Sequence, residues 1–510
     1  MRTPRSAKDL RTPRTRAAGL RRPAKRQGTH GRRRWHAAGE GARGGPALPA
    51  FERLVRPQPV ALAGRQVLVL GIGDSGLAAA RWIAEQGGKV RGADSRPAPP
   101  RAAEFRAALP WAELRCGPFS EALLEGAELV CVSPGLALDE PIVQAALARG
   151  LPVLGEIELF AWAVRARPGA KIIAVTGTNG KSTVTALAAH LARATGLDAV
   201  AAGNLGPPAL EAYMRPRERP VALWVLELSS FQLETTWSLA PEAAALLNVS
   251  PDHLDRYPDL DAYARAKARV FLDAHLQLVN RDDARSRASA LPGRRTVTFG
   301  LEPPPGEEDF GLREGWLVRG GERILPLSAL PLHGLHNAAN ALAACALASA
   351  AGAPLAALAE GLRSFRGLPH RLALVAERDG VAWYDDSKGT NVGATVAALA
   401  GLGRPAVVIL GGEGKGQDFG PLAPALAAHA RAALLIGRDA PLIERALARA
   451  GVPLARCATL EEAVERAAAL ARAGDAVLLS PACASFDMFR DYRARGEAYA
   501  RAVRALGGGR

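Results

Sequence analysis

The residues best placed to do chemistry lie in K-I-I-A-V-T-G-T-N-G-K-S-T, Lys171 to Thr183. Gly177, Thr178, Asn179, Gly180, Lys181, Ser182 and Thr183 follow an apolar run, Ile172 to Val175, and lead into a helical pattern through Leu187 and Leu191. Strand, glycine loop and helix in that order form a phosphate cradle: Gly177 and Gly180 let backbone N–H groups converge on an anion, and the helix N-terminus adds partial positive charge. The Lys181 ammonium reaches the outer phosphates, and the Ser182 hydroxyl is offered to Mg²⁺. The full Walker pattern wants another glycine at position 175, where Val175 stands, so the motif is a shortened variant. An ordinary strand-to-helix turn is the competing reading.

A second glycine loop lies upstream in V-L-V-L-G-I-G-D-S-G-L. Gly71, Gly73 and Gly76 form G-x-G-x-x-G after a strand-like run, and Asp94 follows the next one, Lys89 to Ala93. This is dinucleotide-fingerprint spacing, for which NAD is the generic ligand, and a close strand–helix crossing without ligand is the alternative. V-C-V-S-P-G, ending at Gly135, exposes further backbone donors on the same edge.

Two more strands of the central region end in polar residues. Leu223 to Glu227 leads into L-S-S-F-Q-L-E, and Ala243 to Val249 into S-P-D-H-L-D-R-Y-P. At the carboxyl edge of a parallel sheet, Glu227 and His253 are able to ligate or orient Mg²⁺; Asp252 and Asp255 are equally readable as turn formers. Asp261 to His275 reads as a helix capped by Asp261, with Lys267 a solvated surface residue by composition. Leu332 to Ala351 is an alanine-rich helix in which Asn337 and Asn340 either cap it or read an adenine edge.

Beyond the F-R-G-L-P-H-R hinge, Phe365 to Arg371, strands are expected at Val381 to Tyr384, Val407 to Leu410, Leu434 to Ile436 and Ala476 to Leu479. Their loops, Asp385 to Asn391, Gly411 to Phe419 and Ser480 to Phe489, carry Lys388, Thr390, Lys415 and Ser485. That set is cationic and donor-rich and suits a small dicarboxylate, unless the loops are simply solvated.

The elements that position these groups are α/β throughout. The order predicts a disordered basic extension at 1–60, a Rossmann-like domain at 61–162, a central P-loop-type domain at 163–367 and a second Rossmann-like domain at 368–510. The net charge of +15 is local: residues 1–60 hold 16 Lys/Arg against Asp9, Glu40 and Glu52. A nearly neutral body gives no support for nucleic-acid binding. The extension reads as a nucleic-acid or lipid arm, a targeting segment, or sequence upstream of the true start. The last, or a solvated tail, is favoured, although no Met occurs between Met1 and Met214. Five scattered cysteines fit neither a disulfide framework nor a zinc site and suit a reducing cytoplasm, and no apolar run is long enough for a membrane span.

From about residue 61 onward, T-G-T-N-G-K-S, L-E-L-S-S-F-Q-L-E, D-H-L-D-R-Y, H-N-A-A-N-A-L-A, G-L-P-H-R, D-D-S-K-G-T-N, G-G-E-G-K-G and L-L-S-P-A-C-A-S-F-D occur in one register. Together they resemble the Mur ligases, most closely the branch that adds D-glutamate to UDP-N-acetylmuramoyl-L-alanine in peptidoglycan precursor synthesis.

The resemblance implies UDP rather than NAD at Gly73, Asp74, Ser75, Asp94, Ser95, Arg96 and Gly135, with Asn204, Ser229 and Gln232 near the rest of that substrate. It implies ATP on the central loop with Asn340, Arg371 and Asp386 around the adenosine, and two Mg²⁺ ions at Ser182, Glu227, His253 and a carbamylated Lys267. D-glutamate would meet Lys388, Thr390, Lys415, Ser485 and Tyr492. Gly389 stands where the family usually has Ala, and Tyr492 where it has Phe. The expected enzyme is a cytoplasmic monomer working through an acyl phosphate. Rival readings are a sister ligase with another amino acid, or a nucleotide-dependent regulator without amide chemistry.

Overall fold

Alternating apolar runs and alanine-rich amphipathic segments build three separate sheets. The computed structural model describes residues 50–167 and 169–506. These belong to one compact unit, and residues 1–49 of the expected basic extension lie outside the described residues.

The first sheet is wholly parallel, in the order Glu113–Cys116, Lys89–Asp94, Gln66–Leu70, Leu129–Val132, Val153–Leu154. Connections leave Gln66–Leu70 and Leu129–Val132 in opposite directions. That opens a crevice between Gly71 and Ser133, where such sheets bind ligands. Ser133 Oγ donates to the Gly71 carbonyl at 2.6 Å and pins the two strand ends together. A Cβ on Gly76 would overlap that same carbonyl oxygen, so the helix Asp74–Glu85 lies this close to the strand only because residue 76 has no side chain.

The middle sheet runs Glu322–Pro326, Trp316–Arg319, Phe310–Arg313, Arg295–Phe299, Leu276–Asn280, Ala243–Leu246, Lys171–Thr176, Leu223–Glu227, Ala199–Gly203. Only its first three strands pair antiparallel. Lys171–Thr176 is flanked on both sides and buries Ile172 to Thr176, which explains its continuous apolar run. The helix Lys181–Ala194 packs Val184, Leu187, Ala188 and Leu191 into the same core as the alanine-rich helix Leu335–Ala350. Fully burying each leucine is worth about 2 kcal/mol.

The last sheet runs Ala373–Arg378, Val381–Asp385, Ala476–Leu479, Ala406–Gly411, Ala430–Ile436, Leu454–Arg456, antiparallel only at its first pair. Among the described residues no helix is long and apolar enough to cross a membrane.

Several expectations are corrected. Residues 50–60 are not uniformly disordered: Ala50–Arg53 forms a 3-10 turn, Phe51 is buried, and Glu52 accepts from Arg265 at 2.7 Å. The A-F-E-R-L apolar pair was enough to dock there. The helix expected from Asp261 is Leu260–Ala268, capped by Asp259, whose carboxylate accepts from Ala262 N at 2.6 Å. Gly334, not an asparagine, stands at the N-cap of Leu335–Ala350.

Candidate active site

At the central loop the strand ends deliver their polar residues to one edge. Gly177 (φ 154°) and Gly180 (φ 83°) take conformations that an L side chain resists. Thr178 N donates to the Asn248 carbonyl at 2.9 Å and Asn179 N to Asn248 Oδ1 at 2.8 Å, so the loop is fixed on the neighbouring strand end. Lys181, first residue of its helix, folds its ammonium back onto the carbonyls of Gly177 at 2.9 Å and Thr178 at 2.8 Å.

Lys267 is the main departure from the sequence reading: it is 1% exposed, not a solvated surface residue. Its Nζ donates to the Gly177 carbonyl at 2.8 Å and lies 4.4 Å from the centre of the Tyr263 ring. Burial first, and the neighbouring Lys181 charge second, pull its pKa well below the usual lysine value. Burial also lowers the Lys181 and His253 values. Glu227 is 1% exposed; Oε1 accepts from Asn204 Nδ2 at 2.6 Å, while Oε2 is buried without a hydrogen-bond partner. His253 sits at φ 55°, its ring edge-on to Phe231 at 4.9 Å, with Nε2 3.7 Å from Asp252 Oδ2. Ser182 is buried and Thr183 is in the helix core.

Arg371 lies in the hinge between two left-handed residues, His370 (φ 61°) and Leu372 (φ 50°). Its Nη2 donates to Ser182 Oγ at 2.6 Å. Asp386 is wholly buried; it accepts from Leu372 N at 3.2 Å and Ser480 Oγ at 2.7 Å, and burial pushes its carboxyl up to about 7. A Cβ at Gly389 would stand 2.6 Å from Asp386 Oδ2 and 2.8 Å from Ser480 Oγ, so the glycine leaves room for that bond. Asn340 Oδ1 faces Gly180, while its amide donates to Asn337 Oδ1 at 3.1 Å.

The last sheet's loops meet this edge. Lys415 Nζ is 3.9 Å from Asp252 Oδ1, and Asn391 Nδ2 donates to Asn179 Oδ1 at 3.0 Å. Lys388 Nζ is 4.0 Å from the centre of the Tyr492 ring, and burial, then Arg371, lowers its pKa to about 8. Thr390 N donates to the Lys388 carbonyl at 2.8 Å, and Ser485 is buried. Sequence reasoning missed Arg495, whose fully buried guanidinium donates to Ser387 O at 2.8 Å and Cys483 O at 3.1 Å. It ties together the two loops carrying Lys388 and Ser485. Its place on the helix Tyr492–Ala505 gave no sequence signal.

In the first sheet's crevice a cavity of about 570 Å³ is lined by Gly73, Asp74, Ser75, Asp94, Ser95, Arg96 and Gly135, joined by Asn204 and Gln232 of the middle lobe. Ser229 lies outside this lining; its hydroxyl accepts from Gln232 N in a capping box on the helix Ser230–Glu234. Asp94 accepts from Ile72 N at 2.7 Å and from both Arg96 Nε and Nη2, so Arg96 turns inward onto a carboxylate.

A phosphate loop between two further α/β lobes, each with its own strand-end site, defines a multidomain P-loop enzyme class. Three family models match in order: the MurD-like N-terminal domain of Mur ligases at residues 65–155, the Mur ligase middle domain at 175–348 and the Mur ligase glutamate ligase domain at 370–483. The chain belongs to the Mur ligase family.

It is similar to the UDP-N-acetylmuramoylalanine--D-glutamate ligase of Thiobacillus denitrificans, 55% identical over 87% of this chain and 97% of that one. The enzyme of the same name from Methylobacillus flagellatus is 54% identical over 87% of this chain and 98% of its own length. Among solved structures, UDP-N-acetylmuramate-alanine ligase MurC from Thermotoga maritima superposes with a TM-score of 0.56 at 20% identity, covering 86% of this chain and 99% of that one, a likeness of fold.

Proposed function

We propose that this chain is an ATP-dependent amide ligase that joins D-glutamate to UDP-N-acetylmuramoyl-L-alanine through an acyl phosphate, in peptidoglycan precursor synthesis. Curated relatives of that name, similar over nearly their whole length, support the substrate pair. The observation that carries the chemistry is that cations of the last lobe share an edge with the central loop: Lys388 feels the charges of Glu227 and Lys181, and Lys415 approaches Asp252 at 3.9 Å.

The residues present fit Mg²⁺. Glu227 Oε2 is a buried carboxylate oxygen with no partner, which is costly unless a cation completes it. Among the described residues no three His, Cys, Asp or Glu side chains form a metal cluster; Mg²⁺ is ordinarily held by one or two carboxylates together with substrate phosphates and water. The lowered pKa of Lys267 favours the free amine, the form that attacks CO₂: a C–N bond forms, one N–H proton leaves, and a neutral amine becomes an anionic carbamate. In this reading Ser182, Glu227, His253 and carbamylated Lys267 hold the metal, which when bound neutralises charge on the triphosphate.

The first lobe holds the UDP portion and directs the alanyl carboxylate to the middle lobe. Lys181 turns from the Gly177 and Thr178 carbonyls to the outer phosphates, where positioned charge does most of the work. The carboxylate oxygen attacks the γ-phosphorus and ADP leaves. Lys388, Lys415, Thr390, Ser485 and Tyr492 hold D-glutamate, whose amine attacks the acyl carbon and expels phosphate. His253, held neutral by its lowered pKa, is suited to take the amine proton. The test is ADP release dependent on both UDP-N-acetylmuramoyl-L-alanine and D-glutamate. No ADP with both present, in magnesium and bicarbonate, would overturn the reading.

A further inference from the structure

The nucleotide cavity of the first lobe is not closed by that lobe alone. Besides the glycine loop and the middle-lobe residues, its wall includes Arg493, in the first turn of the last lobe's helix Tyr492–Ala505. Arg96 and Arg493 are the two cationic side chains of the lining, and they are not equivalent. Arg96 is committed to Asp94 at 2.7 Å. Arg101, just outside, is committed to Asp74 at 2.6 Å and Glu104 at 2.8 Å. Arg493 has a hydrogen bond from Nε to the Tyr492 hydroxyl at 3.2 Å and, among the described residues, no carboxylate within ion-pair distance. Asp491 on its own helix start, and then Asp74 on the glycine loop, are near enough to act on its charge.

A diphosphate brings two or more negative charges into a cavity whose own carboxylates, Asp74 and Asp94, already consume the first lobe's arginines. Backbone N–H groups at the helix start supply part of the compensation. A planar guanidinium with free donors is the group suited to the rest. We propose that Arg493 is the diphosphate-binding residue of the nucleotide-sugar site, delivered from the amino-acid-binding lobe and aimed by the Tyr492 hydroxyl. This rests on the proposed function for the identity of the nucleotide substrate. Because the Tyr492 ring also faces Lys388, one helix turn touches both the diphosphate and the D-glutamate pocket, so a filled first lobe draws the last lobe in.

The test uses the full chain. Steady-state kinetics of Arg493→Ala should show KM for the nucleotide-sugar substrate raised about tenfold or more, the loss expected for one charge-assisted contact. KM for ATP should stay within about twofold, Arg493→Lys should recover part of the loss, and Tyr492→Phe, which removes only the hydroxyl, should lose part of the affinity. Calorimetry with UDP alone should show the same fold-weakening and a shallower salt dependence for Arg493→Ala. Parental UDP affinity in Arg493→Ala, or an equal rise in KM for all three substrates, would overturn the proposal. If the parent chain turns over no nucleotide-sugar yet UDP affinity still depends on Arg493, the substrate reading fails and the diphosphate contact stands.

Discussion

Lys181 and Lys267 donate to the same carbonyl oxygen, that of Gly177, at 2.9 and 2.8 Å. Two ammonium groups share one acceptor in a buried site: burial first, and the Lys181 charge second, lower the affinity of Lys267 for a proton, while Lys181 is lowered chiefly by burial. Of the two, Lys267 is the more deeply shifted, so it is the one whose neutral amine form the site favours.

Converting Lys267 to a carbamate makes an anion of that amine. Activity is expected to fall when bicarbonate and CO₂ are stripped and to return on their addition, and native mass spectrometry should show an adduct of one CO₂ that Lys267→Ala lacks. Lys181→Ala should reduce kcat by two orders of magnitude or more, about 3 kcal/mol of lost transition-state stabilisation, measured as ADP release under saturating substrates.

Lys388 has a pKa near 8, so its charge is present below that pH and is lost above it. KM for D-glutamate should be flat below about pH 7.5 and rise toward tenfold per unit above about 8.5 as the ammonium deprotonates. In Lys388→Arg, which stays charged, the rise should disappear even if the baseline KM is higher.

Asp386 carries the opposite linkage. Its carboxyl titrates near 7 when folded against 3.8 in the ordinary state, so the folded form binds the extra proton. Stability from this group is complete below about pH 3.8 and is lost as pH rises to about 7. Asp386→Asn should therefore match the parent in thermal unfolding near pH 4 and exceed it above pH 7, by at most about 4 kcal/mol. Its KM for ATP should rise.

Asn391 caps the helix Val392–Gly401 through Oδ1, to Ala394 N at 2.9 Å, while its amide reaches Asn179 at 3.0 Å and Asp252 at 3.5 Å. Aspartate is an equally good cap but brings a charge against Asp252. Asn391→Asp should keep the parental melting temperature within a few degrees. It should also enlarge the radius of gyration in solution scattering and raise KM for D-glutamate several-fold, because about 5 kcal/mol of repulsion at that separation, for an effective dielectric constant of about 20, favours an open last lobe.

Much of this was written in local sequence. The run Ile172 to Val175 and the glycines after it sufficed to place the central loop, and Ala476–Leu479 was read to the residue. A two-residue error at the Asp259 cap arose because Asp259 and Asp261 offer the same chemistry, and only backbone geometry selects between them. Lys267 was unreadable from its own helix: Tyr263, four residues back on that helix, is local, but the Gly177 carbonyl that accepts from its ammonium is a tertiary neighbour, and only the resemblance pointed to it. Arg495 was missed because its partners, Ser387 and Cys483, sit on other loops of its own lobe. Arg493 stays exposed on its helix, and only the fold brings it to the first lobe's cavity.

The left-handed corners at His370 and Leu372 leave Arg371 on a stiff bracket rather than a slack tether, since neither residue adopts that conformation cheaply. A swing of the last lobe would turn on the irregular segment 366–368, just past Phe365, which is anchored in the middle-lobe core. Such a swing drags the Arg371 guanidinium bodily across the Ser182 hydroxyl, so the angle of one lobe is registered at the mouth of the nucleotide loop by simple leverage, with no rearrangement of either core.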